Sequence, residues 1–265
     1  MSKIGEVFRE LKSKDRKALI TYVTAGDPNL SVSKKIIWQL IESGADIIEL
    51  GVPFSDPTAD GPVIQAASQR ALKTGINLSD IFGLVKEIRK VSQIPIILFG
   101  YYNPFFVFGP KEISQRARDA GVDGLLVVDL PYEEADELKS YTDHMDIDLI
   151  FLLAPTSDDN RIKIISQKAR GFIYYISMTG VTGSKQSFDQ YTEENIKRIK
   201  KLTNLPVAIG FGISTPEQAH DMGRFPDGVV VGSAIVRIIE ENQDSQELPK
   251  KVGEFTSQLK LALKK

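Results

Sequence analysis

The sequence predicts an α/β fold, a single closed (β/α)8 barrel spanning residues 1–265, and three observations carry that expectation. Short apolar, β-branched runs recur along the chain, at residues 18–23, 47–50, 95–99, 124–128, 149–153, 171–176, 207–209 and 228–231. They alternate too little to be half-exposed strands, whereas runs apolar on both faces suit a parallel sheet covered on both sides. Between them lie stretches with helical spacing, as crossovers between parallel neighbours require. Eight such units in 265 residues match a closed barrel, typically of about 250 residues, better than an open doubly wound sheet. No Gly/Ser/Pro-rich linker divides the chain.

In chain order, a helix over residues 4–11 precedes the first strand and would cap the barrel floor. Ile36, Ile37, Leu40 and Ile41 form the apolar stripe of the helix after strand one, with Ser31 as its start signal. Ile81, Leu84, Val85 and Ile88, at i, i+3, i+4 and i+7, form another stripe behind Ser79. Pro131 and Pro216 are expected to open the helices after strands four and seven. A short extra helix over residues 234–240 follows strand eight.

Composition narrows the function. With 33 Lys+Arg against 35 Asp+Glu, the net charge of −2 gives no reason to expect a nucleic-acid or acidic-membrane surface. The absence of cysteine excludes disulfides, thiolate nucleophiles and thiolate metal sites. No apolar run approaches the roughly 20 residues of a membrane helix, and the N-terminus carries no secretion signal. A cytoplasmic protein is expected.

In such a barrel, chemistry sits at the C-terminal ends of the strands. Glu49 ends the second run among apolar residues, where desolvation raises a carboxyl toward the range useful for proton transfer; a partly exposed strand-end carboxylate is the plainer alternative. The segment from Val52 to Pro62 is a long loop with three prolines and two aspartates, and Asp60 could reach back from it toward Glu49, whereas Asp56 reads as a turn residue. Gly210-Phe211-Gly212 after strand seven and Gly232-Ser233 after strand eight, with a helix behind them, fit a phosphate site that Gly183 could extend. The substrate is therefore expected to be a phosphoester. Tyr101, Tyr174 and Tyr175 could supply hydroxyls, and Tyr22, Phe99, Leu126, Leu153 and Phe211 an apolar pocket for a flat aromatic substrate. The two histidines, His144 and His220, fall on predicted helices, and no lysine ends a run. Neither a His-rich metal centre nor a Schiff-base lysine is indicated, which leaves carboxylate acid/base chemistry. The loop from Ser177 to about Tyr191 is expected to act as a lid that brings Thr182 toward Asp60.

The block Glu49-Leu50-Gly51-Val52-Pro53-Phe54-Ser55-Asp56-Pro57-Thr58-Ala59-Asp60-Gly61-Pro62-Val63-Ile64-Gln65 is the most specific motif. Together with Tyr102-Asn103-Pro104, Asp129-Leu130-Pro131, Gly180-Val181-Thr182-Gly183 and Gly210-Phe211-Gly212-Ile213, it resembles the family of tryptophan synthase α subunits. The resemblance implies reversible retro-aldol cleavage of indole-3-glycerol phosphate to indole and glyceraldehyde 3-phosphate, without a cofactor in this chain. It implies Glu49 as the acid/base, Asp60 on the indole N–H, Tyr174 lining the site, and Gly183, Gly212 and Ser233 on the phosphate. It further implies a β subunit that carries pyridoxal phosphate and receives indole through a tunnel, in an α2β2 complex. Thr58 and the Phe99-Gly100 pair depart from the family pattern and bear on pocket shape. Two other readings remain at this point: an isomerase of a phosphoribosyl aromatic amine, which would not need the long loop with Asp60, and a non-catalytic subunit, which would not need Glu49.

Overall fold

The computed structural model describes residues 2–176, 190–210 and 212–264. Eight parallel strands, β1 (Ala18–Thr24), β2 (Ile47–Gly51), β3 (Ile96–Gly100), β4 (Gly124–Val127), β5 (Asp148–Leu153), β6 (Ile173–Ile176), β7 (Val207–Gly210) and β8 (Gly228–Val231), close in sequence order into a barrel. The ring shuts where Ala18 to Thr21 of β1 pair with Gly228 to Val231 of β8. Alternation sorts each strand into two faces. Leu19, Val23, Ile48, Leu50, Leu98 and Leu125 join the shell packed under the helices, whereas Ala18, Ile20, Ile47, Ile97, Leu126, Ile150 and Tyr174 fill the interior.

The floor is closed by α1 (Lys3–Ser13), whose Ile4, Phe8 and Leu11 are buried within the barrel cluster, each such burial contributing roughly 1.5–3 kcal/mol. Glycines admit this helix: a Cβ on Gly124 would stand 3.0 Å from Ile4 Cδ1, and one on Gly228 would stand 3.2 Å from Phe8 Cε1. Aspartates fasten neighbouring strands. Asp46 accepts the Leu19 N–H at 2.7 Å, Asp123 the Ile96 N–H at 2.9 Å and Asp227 the Val207 N–H at 2.9 Å, satisfying donors that a strand start would leave unpaired.

The outer ring consists of α2 (Leu30–Glu42), α3 (Pro62–Lys73), α4 (Leu78–Arg89), α5 (Tyr102–Phe108), α6 (Pro110–Ala120), α7 (Asp136–His144), α8 (Asp159–Lys168), α9 (Gln190–Leu202), α10 (Pro216–Met222), α11 (Ser233–Glu241) and α12 (Leu248–Ala262). Some expected boundaries move. Asn29 and Asn77, two residues before Ser31 and Ser79, cap α2 and α4, because their side-chain carbonyls reach the first-turn N–H groups of Val32 and Asp80. Pro131 opens a turn, its carbonyl accepting the Glu134 N–H at 3.0 Å, and α7 begins only at Asp136. Pro216 does open α10. Among the described residues no helix is long and apolar enough to cross a membrane.

Candidate active site

Glu49 shares the inward parity of Ile47 and pairs with Tyr22 on β1 and Ile97 on β3. Only 1% of it is exposed, and its Oε1 has no hydrogen-bond partner. Burial without compensation favours the neutral carboxyl, and the Glu49 pKa is pushed up to about 8. Such a group is a proton donor at neutral pH and, once discharged, a strong enough base to recover the proton.

Asp60 approaches from the loop between β2 and α3. Its backbone N–H bonds the Pro57 carbonyl at 3.1 Å, and its own carbonyl accepts the Gln65 side-chain amide at 2.8 Å, so the first turn of α3 fixes where the loop ends. Burial raises the Asp60 pKa to about 6, against the pull of a hydrogen bond from Tyr101. The Tyr101 hydroxyl also accepts the Ala59 N–H at 2.9 Å. It therefore serves the loop rather than standing free in the cavity. Gln65 was not singled out from the sequence, although its place one turn inside α3, beyond a Gly-Pro helix start, was a usable signal.

Two tyrosines form the walls. The Tyr22 ring meets Phe99 edge-on, centroids 5.2 Å apart, and its hydroxyl lies 3.2 Å from Thr24 Oγ1. Tyr174 projects into the barrel from β6. Burial raises both hydroxyls well above their ordinary pKa, and the charges of Glu49 and Asp60 push both in the same direction. Glycines make room: a Cβ on Gly51 would lie 2.2 Å from the Tyr22 hydroxyl oxygen, and one on Gly210 would lie 2.0 Å from that of Tyr174. Two sequence expectations fail here. Tyr175 and Leu153 belong to the shell under the helices, not to the cavity, because the period of two turns them away from the face that Tyr174 occupies. Leu152 packs on the interior instead. Leu126 and Phe99 do lie on the inner side.

After β8, α11 starts at Ser233 behind Gly232 and has no side-chain cap, unlike α2, α4, α8 and α10, which each have one. Its first turn thus presents the N–H groups of Ser233, Ala234 and Ile235 ahead of the first helical bond, Val236 N–H to Gly232 O at 3.0 Å. Gly212 holds φ +72° with open space around it, a left-handed conformation that turns backbone donors without a side chain in the way. Thr182, Gly183 and Phe211, and residues 177–189 of the lid expected from Ser177 to about Tyr191, lie outside the described residues, while Gln190 and Tyr191 already belong to α9.

A closed barrel that buries an unpartnered carboxyl on the inner face of β2, with a second carboxyl of raised pKa on the loop after that strand, defines an acid–base enzyme of the (β/α)8 class. Residues 8–264 match the sequence profile of the family "Tryptophan synthase alpha chain". A tryptophan synthase alpha chain from Geobacter sulfurreducens is 50% identical over 263 residues, 99% of each chain. The crystal structure of tryptophan synthase subunit alpha from Legionella pneumophila superposes with a TM-score of 0.92 at 37% identity, covering 99% of this chain and 98% of that one. A chain from a tryptophan synthase structure of M. tuberculosis gives 0.90 at 31% identity over 100% of both chains. The chain therefore belongs to the tryptophan synthase alpha chain family, lyases of tryptophan biosynthesis.

Proposed function

We propose that this chain cleaves indole-3-glycerol phosphate reversibly to indole and glyceraldehyde 3-phosphate, with Glu49 and Asp60 as the reacting carboxyls. The observation that supports it most is the unbonded Oε1 of Glu49, buried at the barrel mouth with its pKa raised to about 8. Protonated Glu49 delivers its proton to indole C3, and the ring nitrogen becomes cationic. Asp60, with a pKa of about 6, remains anionic at neutral pH and stabilises that N–H. The Glu49 carboxylate then takes the proton of the adjacent glycerol hydroxyl, the carbon–carbon bond breaks, the electron pair returns to the ring, and the aldehyde forms. Glu49 ends protonated, ready for another turn.

Tyr22 and Tyr174 flank the indole and Tyr101 holds the Asp60 loop, while membership of the family supports Thr182 and Phe211 as further substrate-binding residues. Gly183, Gly212, Gly232 and Ser233 bind the phosphate through backbone donors and the α11 dipole. The whole chain acts as one cytoplasmic catalytic domain that needs no cofactor of its own and delivers indole to a β subunit carrying pyridoxal phosphate, in an α2β2 complex. A shallow, open depression bounded by Phe54, Asn103, Pro104, Val107 and Phe108 adjoins the loop and offers that partner an apolar surface. The test is indole release from indole-3-glycerol phosphate by the purified chain, with Glu49→Gln and Asp60→Asn as controls. No release by the wild type, or full release by both variants, would overturn the reading.

A further inference from the structure

Behind the barrel mouth, one guanidinium joins the elements that build it. Arg70 on α3 makes a two-pronged pair with Asp27, just after β1, through Nε to Oδ1 at 2.8 Å and Nη2 to Oδ2 at 2.9 Å. Its remaining Nη1 reaches Glu240 Oε1 at 2.9 Å, in the last turn of α11. The Asp27 side chain is 0% exposed and that of Arg70 16%, while Glu240 is 41% exposed. A fork that grips two carboxylates in a plane fixes orientation as well as distance.

The position of this cluster matters because of what its helices carry. α3 begins two residues after Asp60, and its Gln65 holds the Asp60 carbonyl. α11 begins at Ser233, which the proposed function assigns to the phosphate. Their packing is unequal: α11 buries Ile235, Val236 and Ile239, whereas α3 buries Ile64 together with the small residues Ala67, Ser68 and Ala71. α3 contributes little apolar bulk here, and the planar Arg70 fork is the directional contact that fixes its orientation.

We propose that Arg70 is a positioning residue for the lyase reaction, seating α3 against Asp27 and α11 so that the Asp60 loop is held in register with the phosphate-anchoring helix. The inference rests on the roles given above to Asp60 and α11. Losing the seat displaces Asp60 without removing it, and misplacement of about 1 Å far from the chemistry can lower turnover by up to about 10²-fold.

Three variants test this in the full chain, each also made in an Asp60→Asn background. Arg70→Lys keeps the positive charge beside Asp27 but loses the fork; Arg70→Met leaves a buried carboxylate unpaired and is the variant most prone to unfold. Glu240→Ala cuts only the arm to α11 and leaves the Arg70 pair with Asp27 intact, so it folds even if the other two do not. The expected result is that Arg70→Lys and Glu240→Ala lower kcat by about 10-fold or more, while binding of glycerol 3-phosphate changes less than twofold. With Asp60 already replaced, the same substitutions should reduce kcat hardly further, because residues acting through one group are not additive. Unchanged kcat in folded Glu240→Ala, or an equal loss with and without Asp60, would overturn the proposal. Failure of the parent reading shows differently, as no indole release by the wild type.

Discussion

The Tyr101 hydroxyl acts on the Asp60 loop in two ways: it accepts the Ala59 N–H at 2.9 Å, and it lies near enough to the Asp60 carboxyl to lower its pKa. The ring is itself backed by Phe54, centroids 5.3 Å apart. A residue at the end of β3 thus governs both the position and the protonation of a group carried by the loop after β2.

Tyr101→Phe removes the bond to Ala59 and the hydroxyl's effect on Asp60, and keeps the ring. Asp60, whose pKa of about 6 already reflects the lowering effect of that hydroxyl, should then titrate at a higher pH. In the proposed mechanism the anion stabilises the cationic ring, so activity should fall as pH drops through the Asp60 pKa, and the acid limb of kcat/KM should move upward. At pH 7 turnover should fall by about 10-fold, the equivalent of one charge-assisted hydrogen bond. A pH–rate profile checks it, and an unmoved acid limb would separate Tyr101 from Asp60.

Glu49→Gln should lower turnover by about 10²–10⁴ while substrate still binds. The raised pKa also predicts a stability signature independent of activity. The folded state holds its proton up to about pH 8, against 4.5 for the free side chain; folded protein therefore binds more protons in that window, and stability falls as pH rises through it. At about 1.4 kcal/mol per unit, the decline amounts to roughly 4–5 kcal/mol. Glu49→Gln cannot titrate, so between pH 5 and pH 9 it should lose less urea resistance than the wild type. Parallel loss in both proteins would mean that Glu49 is not the group concerned.

The barrel was legible because it is written in local patterns. Every strand lies close to its expected run, the largest departure being 171–176 against Ile173–Ile176. The failures arise where geometry across the chain decides. Asn29 displaces Ser31 as a cap because its extended backbone puts it just before the first turn, where its side chain accepts the Val32 N–H, whereas Ser31 already lies inside α2. α5 and α6 are divided at Gly109, whose φ of +98° no helix continues, and apolar spacing does not reveal that. In the site, Glu49 and Asp60 could be picked out as carboxyls in unusual places. Leu153 and Tyr175 could not be sorted inward or outward by a strand apolar on both faces. The partnership of Arg70 with Asp27, 43 residues apart, leaves no trace in either local sequence.

Gly51→Ala should disturb Tyr22 specifically. The added Cβ would sit 2.2 Å from the Tyr22 hydroxyl oxygen and 2.6 Å from Cζ, and the ring is confined on its other sides by Phe99 and by Gly232 beneath its Cβ. Overpacking of this kind costs about 1–3 kcal/mol, and a tilted ring narrows the indole pocket, so KM should rise. Tyr22→Leu in the same chain should recover part of the stability but not the activity. Urea melts of the four proteins of this cycle measure it, and additive losses would show that the two residues do not meet.

Association with a partner should act on the chemistry through Pro57. Its carbonyl accepts the Asp60 N–H at 3.1 Å, while Asp56 beside it, and Asn103 and Pro131 around the mouth, are exposed. Phe106 and Val107 on α5 are 56% and 78% exposed, an apolar rim next to the Phe54 groove that a second protein could cover. Docking there would favour those loop conformations in which Pro57 and Tyr101 already hold Asp60, which raises activity without any contact with substrate. Adding the pyridoxal-phosphate β subunit should therefore increase indole release. Pro57→Ala keeps the carbonyl but loses the rigid ring that fixes its direction, so it should weaken activation more than it lowers the basal rate. Titrating the β subunit into wild type and variant, with co-elution followed in parallel, separates the outcomes. Equal activation of both would leave the complex standing and remove Pro57 from the link, and neither co-elution nor a rate change would remove the partner.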